Sequence, residues 1–212
     1  EDEKDLGVCL IDVGGGTTDL AVWTQGAIRH TSVIPIAGDQ ITNDIAMALR
    51  TPTREAEEIK RKYGCALSQL ADQAESIEVA GVDDRPSRKL SRRALADVIQ
   101  PRVEELYELI QNELRRAGFE EVLSSGIVLT GGASVMPGMI ELGEEIFHMP
   151  VRLGSPKYTG SLADVVQNPR FSTSFGLLLE AQAQRKRGQK IKEKQNVKDV
   201  FDGMKSWFAK NF

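Results

Sequence analysis

The sequence predicts an α/β fold: a mixed sheet flanked by helices, built from residues 1–44 and 123–184, with a smaller α+β subdomain inserted at 45–122. Three observations predict it. An apolar run ends in Gly14-Gly15-Gly16 and resumes after Asp19, a second apolar run ends in Gly131-Gly132 about 115 residues later, and helical periodicity dominates between them. The 212 residues, 41% hydrophobic and 27% charged, suffice for one large domain or two modest subdomains.

Leu10 to Val22 reads as a strand, a tight turn and an antiparallel return strand. Three consecutive glycines let backbone N–H groups turn toward one point, a concavity suited to phosphate, and Thr17 and Thr18 add hydroxyl donors beside it. Asp12, at the last strand position before the turn, is placed to face a phosphate-bound magnesium, directly or through water. A plain hairpin would need none of these carboxylates and threonines.

Ala27 to Ile36 alternates as another strand, and Gly38-Asp39 starts a helix carrying Ile41, Ile45 and Leu49, with Asp39 as its N-cap. Thr53 opens a second helix, with Glu55, Glu57 and Glu58 early and Lys60, Arg61 and Lys62 late, an order that complements the helix dipole. Ser76 to Ala80 alternates as a small β element before a turn at 81–86. Arg85, Arg88, Lys89, Arg92 and Arg93 then crowd together, the last two following a Ser91 N-cap, where the dipole disfavours cations.

Ser91 to Arg116 is helical, with Leu95, Val98, Ile99, Leu106, Leu109, Ile110 and Leu114 on one face, Pro101 marking a kink or a second helix and Gly118 the stop. Gly126 to Gly138 reads as a buried strand, a double-glycine turn and a helix from about Pro137 to Phe147. Val151–Leu153 is a short strand, Ser161–Val166 a helical turn, and Phe171–Gln184 a helix with Phe175, Leu178 and Leu179 facing in.

Residues 185–196 form a cationic, glycine-broken linker. Beyond it Val197, Val200, Phe201, Met204, Trp207 and Phe208 fall on one helical stripe flanked by Lys198, Lys205 and Lys210. Sixteen residues at about 1.5 Å each are too short and too charged to span a bilayer, but they suit an anionic membrane surface. Residues 185–212 carry a surplus of six positive charges while the whole chain is at −4, so an acidic body bears a basic tail. Cys9 and Cys65 read as idle thiols of a reducing compartment, no metal-ligand spacing occurs, and no signal peptide or nucleic-acid signature is visible. The acidic start directly ahead of a strand suggests a fragment boundary.

Asp12-Val13-Gly14-Gly15-Gly16-Thr17-Thr18-Asp19-Leu20-Ala21 resembles the second phosphate-binding hairpin of the actin-like ATPases, a ribonuclease H-like superfamily, and within it the bacterial cell-division FtsA family. The resemblance covers nearly the whole chain but only the second half of such a protein. It implies ATP with Mg, held by Asp12, Gly14, Gly15, Gly16, Thr17 and Thr18 on the phosphate side. On the adenosine side it implies Glu57, Lys60, Gly131, Gly132, Ala133 and, as an apolar wall, Met136, and it sets the Gly38-Asp39 step near the nucleotide.

The resemblance further implies an adaptor that ties the tubulin-like ring protein FtsZ to the cytoplasmic side of the inner membrane at the septum. In that role Arg88, Lys89, Arg92 and Arg102 would receive the acidic FtsZ tail, and the whole protein would self-associate into actin-like filaments. ATPase activity is expected to be weak or absent, and the fragment alone inactive. A sugar kinase, a heat-shock-type chaperone ATPase and a pilus-assembly actin-like protein are the alternatives within the superfamily.

Overall fold

The computed structural model describes residues 2–81 and 86–187. Arg85, the linker from residue 188 and the proposed membrane helix at 197–212 lie outside them.

A five-stranded sheet in the order β3-β2-β1-β6-β7 carries the site. β1 (Val8–Val13), β2 (Thr18–Thr24) and β3 (Ala27–Ile34) form an antiparallel meander, while β6 (Ile127–Thr130) and β7 (Val151–Leu153) add in parallel beside β1. β6 is buried along its whole length, because it lies between two strands. The parallel register sets Asp12 opposite Thr130, so the ends of β1 and β6 are level. The acidic opening, for which the sequence predicts no element, forms a short helix, α1 (Asp2–Leu6).

α2 (Gly38–Leu49) begins two residues earlier than an Asp39 N-cap would set it. Its N-cap is Ala37, whose N–H reaches Gln40 Oε1 at 3.0 Å, and Asp39 lies inside the first turn. The reason is tertiary: the N–H groups of Gly38 and Asp39 donate to the carbonyls of Gly14 (3.1 Å) and Gly15 (2.7 Å). Two of the four donors that a helix start leaves open are thereby satisfied, and Asp39 is not needed as a cap.

α3 (Thr53–Tyr63) follows, then the hairpin β4 (Ser76–Val79) and β5 (Arg88–Ser91). α4 (Arg92–Arg116) is capped by Ser91, whose Oγ accepts from Ala94 N at 3.2 Å. It continues through Pro101 as one helix, so no second helix begins there. Proline in a helix interior costs about 3 kcal/mol. Pro101 lies on the exposed side, and the opposite face buries Leu95, Ile99, Val103, Leu106, Tyr107, Ile110 and Leu114. Each large side chain contributes about 1.5–3 kcal/mol, so the stripe outweighs the proline. Leu109, expected on that face, is exposed, and Tyr107 takes the interior instead with its hydroxyl donating to Met139 O at 2.9 Å.

α5 (Met139–Phe147) starts after Gly138 (φ 86°) rather than at Pro137, whose carbonyl accepts from Ala66 N at 2.7 Å. Ile11 and Val13 of the sheet share one contiguous core with Ile41, Ile59, Ile77 and Ile99, so the inserted segment is packed into the body. Cys9 and Cys65 are buried and unpaired, and burial pushes the Cys9 thiol up to about 12.

α6 (Ala163–Val166) and a 3-10 turn at Pro169–Phe171 lead to α7 (Ser172–Lys186). Residues 1–172 form one compact unit and those from Thr173 a second. Within the second, Leu178 and Leu179 are exposed, against the expectation that they face inward. Leu177-Leu178-Leu179 are consecutive, and three adjacent side chains sweep around a helix instead of lining one face. Arg185 and Lys186 belong to the last turn of α7, so the described start of the expected linker is helical. Among the described residues, no helix is long and apolar enough to cross a membrane.

Candidate nucleotide site

The first glycine turn joins β1 to β2 and is closed by Gly14 N–H donating to Thr17 O at 3.0 Å. Gly15, Gly16 and Thr17 are exposed, and the Thr17 hydroxyl reaches Asp19 Oδ2 at 3.2 Å. Thr18 does not offer its hydroxyl to the turn, contrary to the sequence reading. Its side chain is fully buried and donates to Ile36 O at 2.7 Å, fastening β2 to the segment that enters α2. Thr17 precedes β2 and is exposed, whereas Thr18, the first residue of the strand, is turned inward.

The second turn lies directly against the first. Gly131 has φ +93°, and a Cβ there would collide with Asp12 Oδ1 and the Val13 carbonyl. Ala133 N–H donates to Val13 O at 3.1 Å, and Ser134, buried and not singled out in the sequence, closes the turn by donating to Gly131 O at 2.7 Å. Gly132 is exposed, with Arg170 Cβ 3.7 Å from where its own Cβ would stand.

Gly38 is the point at which the elements converge. A Cβ on it would lie 3.2 Å from Gly14 O, 3.4 Å from Lys60 Nζ and 3.5 Å from Ala133 Cβ. A single atom added at this position would thus touch the first glycine turn, the second glycine turn and α3. Lys60 is nearly buried, and its ammonium donates to Gly38 O (2.8 Å), Thr42 Oγ1 (2.7 Å) and Glu57 Oε2 (2.7 Å), satisfying all three N–H groups. Burial pushes the Glu57 carboxyl up, but hydrogen bonds from Lys60 and Thr42 outweigh it and hold the group below the usual carboxylate range. Met136 is half-buried, with its sulfur 2.9 Å from a Cβ placed on Gly64, at the end of α3.

Asp39, expected to cap α2 and set near the nucleotide by the resemblance, holds its carboxylate 3.4 Å from the Cβ position of Gly15, so a second acid flanks the first turn beside Asp12. One residue escaped the sequence reading of the site. Thr42 is buried between Lys60 and Glu57, and the signal for it was a lone hydroxyl one residue after Ile41 on the apolar face of α2. Among the described residues no group of three or more His, Cys, Asp or Glu side chains forms a metal cage.

The basic cluster divides between internal bonds and solvent. Arg88 donates to Leu49 O at 2.6 Å, and Arg92 to Tyr63 O and Glu75, both at 3.0 Å. Arg102 grips Asp44 at 2.5 and 3.0 Å and also reaches Glu105. Lys89 is exposed, cross-strand from Glu78. Arg102 follows Arg92 by ten residues, about 15 Å along α4, so the four do not form one tight patch.

The family model for cell division protein FtsA matches residues 9–176. FtsA of Pseudomonas aeruginosa is 56% identical over 219 aligned residues, covering all of this chain and 52% of the relative. FtsA of Neisseria meningitidis is 48% identical over 218, again across the whole chain and 53% of the relative. The chain therefore spans about half the length of the curated relatives it matches. Among solved structures, MreB 5 of Spiroplasma citri bound to AMPPNP matches with a TM-score of 0.63 at 23% identity, over 85% of this chain and 56% of that one. The PilM-PilN type IV pilus biogenesis complex matches with a TM-score of 0.62 at 21% identity, over 84% and 47% respectively. These likenesses carry the fold, which is that of the actin-like ATPases.

Proposed function

This chain belongs to the FtsA family of cell division proteins, and from that premise we propose that it forms one wall of an ATP·Mg cleft in an actin-like adaptor. The adaptor would anchor the tubulin-like FtsZ ring to the cytoplasmic face of the inner membrane and help recruit the septal machinery. One observation carries the nucleotide reading: a Cβ added at Gly38 would stand 3.2–3.5 Å from Gly14 O, Lys60 Nζ and Ala133 Cβ at once, so a single ligand beside Gly38 would meet both glycine turns. The likeness in fold to MreB 5, a protein crystallised bound to AMPPNP, supports it.

The residues fit the group. Backbone of Gly14, Gly15 and Gly16 with the Thr17 hydroxyl would meet phosphate oxygens, while Gly131, Gly132 and Ala133 would line adenine and ribose beside Glu57, Lys60 and Met136. Asp12 and Asp39 would repel bare phosphate, and magnesium held by Asp12 through water removes that conflict. Bound Mg·ATP supplies phosphoryl charge that ordered residues can read; no general base is assigned, and nucleotide governs self-association more than turnover. The isolated chain binds ATP weakly in this reading, because it supplies one wall of the cleft.

The acidic FtsZ tail would dock on the subdomain bearing Arg88, Lys89, Arg92 and Arg102. Lys89 is the residue freest to contribute, since the three arginines also hold the fold. Val197, Lys198, Val200, Phe201, Met204, Lys205, Trp207 and Phe208 would form the interfacial helix on anionic lipid. Co-sedimentation of a full-length family protein carrying this chain with anionic vesicles tests the adaptor, with and without residues 197–212 and with the FtsZ peptide added. Loss of lipid binding on truncation and recruitment of the peptide by the intact protein are expected. Lipid binding unaffected by truncation overturns the assigned anchor.

A further inference from the structure

We propose that Thr42, which lies outside the two glycine turns, is a positioning residue of the nucleotide site, its buried hydroxyl locking Glu57 and Lys60 into the orientation that ligand binding uses. The inference rests on the nucleotide reading above. It starts from hydrogen-bond accounting. The Thr42 side chain has one proton and lies 2.6 Å from Glu57 Oε2, 3.0 Å from Gly38 O and 2.7 Å from Lys60 Nζ. Lysine only donates, so Thr42 accepts from Lys60. The proton goes to the ionised Glu57, the nearer and more strongly accepting partner. Gly38 O is then served by Lys60 at 2.8 Å.

The result is a closed arrangement in which each polar group has one assignment. Lys60 spends its three N–H groups on Gly38 O, Thr42 and Glu57, and Glu57 Oε2 receives both Thr42 and Lys60. Neither of these bonds uses Glu57 Oε1, and the two on Oε2 fix the direction of a carboxylate whose side chain is 41% exposed. Without the hydroxyl, Glu57 would keep the lysine alone and could rotate about its terminal torsion, which is soft. Thr42 is itself buried on α2, whose first turn is bonded to Gly14 and Gly15, so the lock is referenced to the first glycine turn.

The experiment measures Mg·ATP affinity by titration calorimetry in a full-length family protein carrying this chain, for wild type, Thr42→Ser, Thr42→Val and Glu57→Gln. Thr42→Val is nearly isosteric and is expected to weaken binding about tenfold, the scale of one hydrogen bond to a charged group, while Thr42→Ser restores it. In the Glu57→Gln background, Thr42→Val should add less than about threefold, because both changes act through one carboxylate. Wild-type affinity in Thr42→Val, no rescue by serine, or fully additive effects would each overturn the proposal while leaving the nucleotide reading intact. No Mg·ATP binding by the wild type would overturn both. Should Thr42→Val not fold, Thr42→Ala, which leaves room for a water, reports on the same hydroxyl, and wild-type affinity there has the same force.

Discussion

The two glycine turns read alike in the sequence, yet the fold treats them differently. At Gly131 the backbone is left-handed and a Cβ would strike Asp12 and the Val13 carbonyl, so packing alone demands glycine. At Gly15 and Gly16 φ is unexceptional, and the nearest atoms to an added Cβ are Asp39 carboxylate oxygens at 3.4 and 3.9 Å, ordinary contact distances. Nothing in the protein's own packing requires glycine at Gly16. Glycine there leaves the exposed side of the turn open to an approaching group, as the proposed nucleotide site needs. Packing fixes the second turn, while the first stays open.

The largest effect that tests this contrast is Gly131→Ala. Strained φ and the collision with β1 should cost about 2–4 kcal/mol of stability, read as a lowered urea midpoint of the family protein carrying this chain. A wild-type midpoint would break the contrast at its stronger end. Gly16→Ala should show the opposite pattern. Its stability stays within about 0.5 kcal/mol of wild type, or rises slightly because alanine restricts the unfolded chain. Its Mg·ATP affinity falls about tenfold as the methyl meets the phosphate-facing side, about 1.4 kcal/mol. Unchanged affinity would mean that the first turn is only a turn.

The same contrast explains what the sequence could and could not disclose. Both turns, the β1–β2 hairpin, the Ser91 cap and the charge order of α3 were legible, since each depends on neighbours within a few residues. Asp39 has the sequence context of a cap, but the carbonyls of Gly14 and Gly15, more than twenty residues away in the chain, accept from Gly38 and Asp39 N–H and start the helix before it. Thr18 looks equivalent to Thr17 until strand pairing turns it inward onto Ile36. Arg102 reads as a free cation, although Asp44, 58 residues earlier, holds it in a two-pronged grip. In each case the missing information is a long-range partner, which periodicity and local propensity do not carry.

The neighbouring threonines sharpen the comparison at smaller scale. Thr18→Val removes a buried donor from Ile36 O and should cost about 1 kcal/mol of stability, with little direct effect on ligand. Thr17→Val, on the exposed side, should leave the midpoint within about 0.5 kcal/mol while weakening Mg·ATP. Equal destabilisation by the two would erase the inside–outside division between them.

The smallest effect concerns Glu57, assigned to the ligand side under the proposed function and so expected to matter little to the fold. Its carboxyl is held below its ordinary 4.5 because bonds from Lys60 and Thr42 outweigh the upward push of burial. The unfolded chain therefore takes up this proton at higher pH than the folded one, and stability rises with pH across that interval. The contribution is complete above 4.5 and disappears as pH falls through the folded value. Glu113 is also held low, first by Arg116 and then by His30, so the acid limb of the stability curve is shared between distant sites. Urea midpoints from about pH 6 to about pH 3 should fall in wild type, and Glu57→Gln should flatten only part of that fall. Glu57 is half-exposed, its side chain at 41%, and solvent screens its pairing, so the flattened part should be the minor one. If Glu57→Gln instead removed the whole acid limb, the carboxylate would be a pillar of the fold, and the separation between residues shaped for packing and residues shaped for a ligand would fail at Glu57.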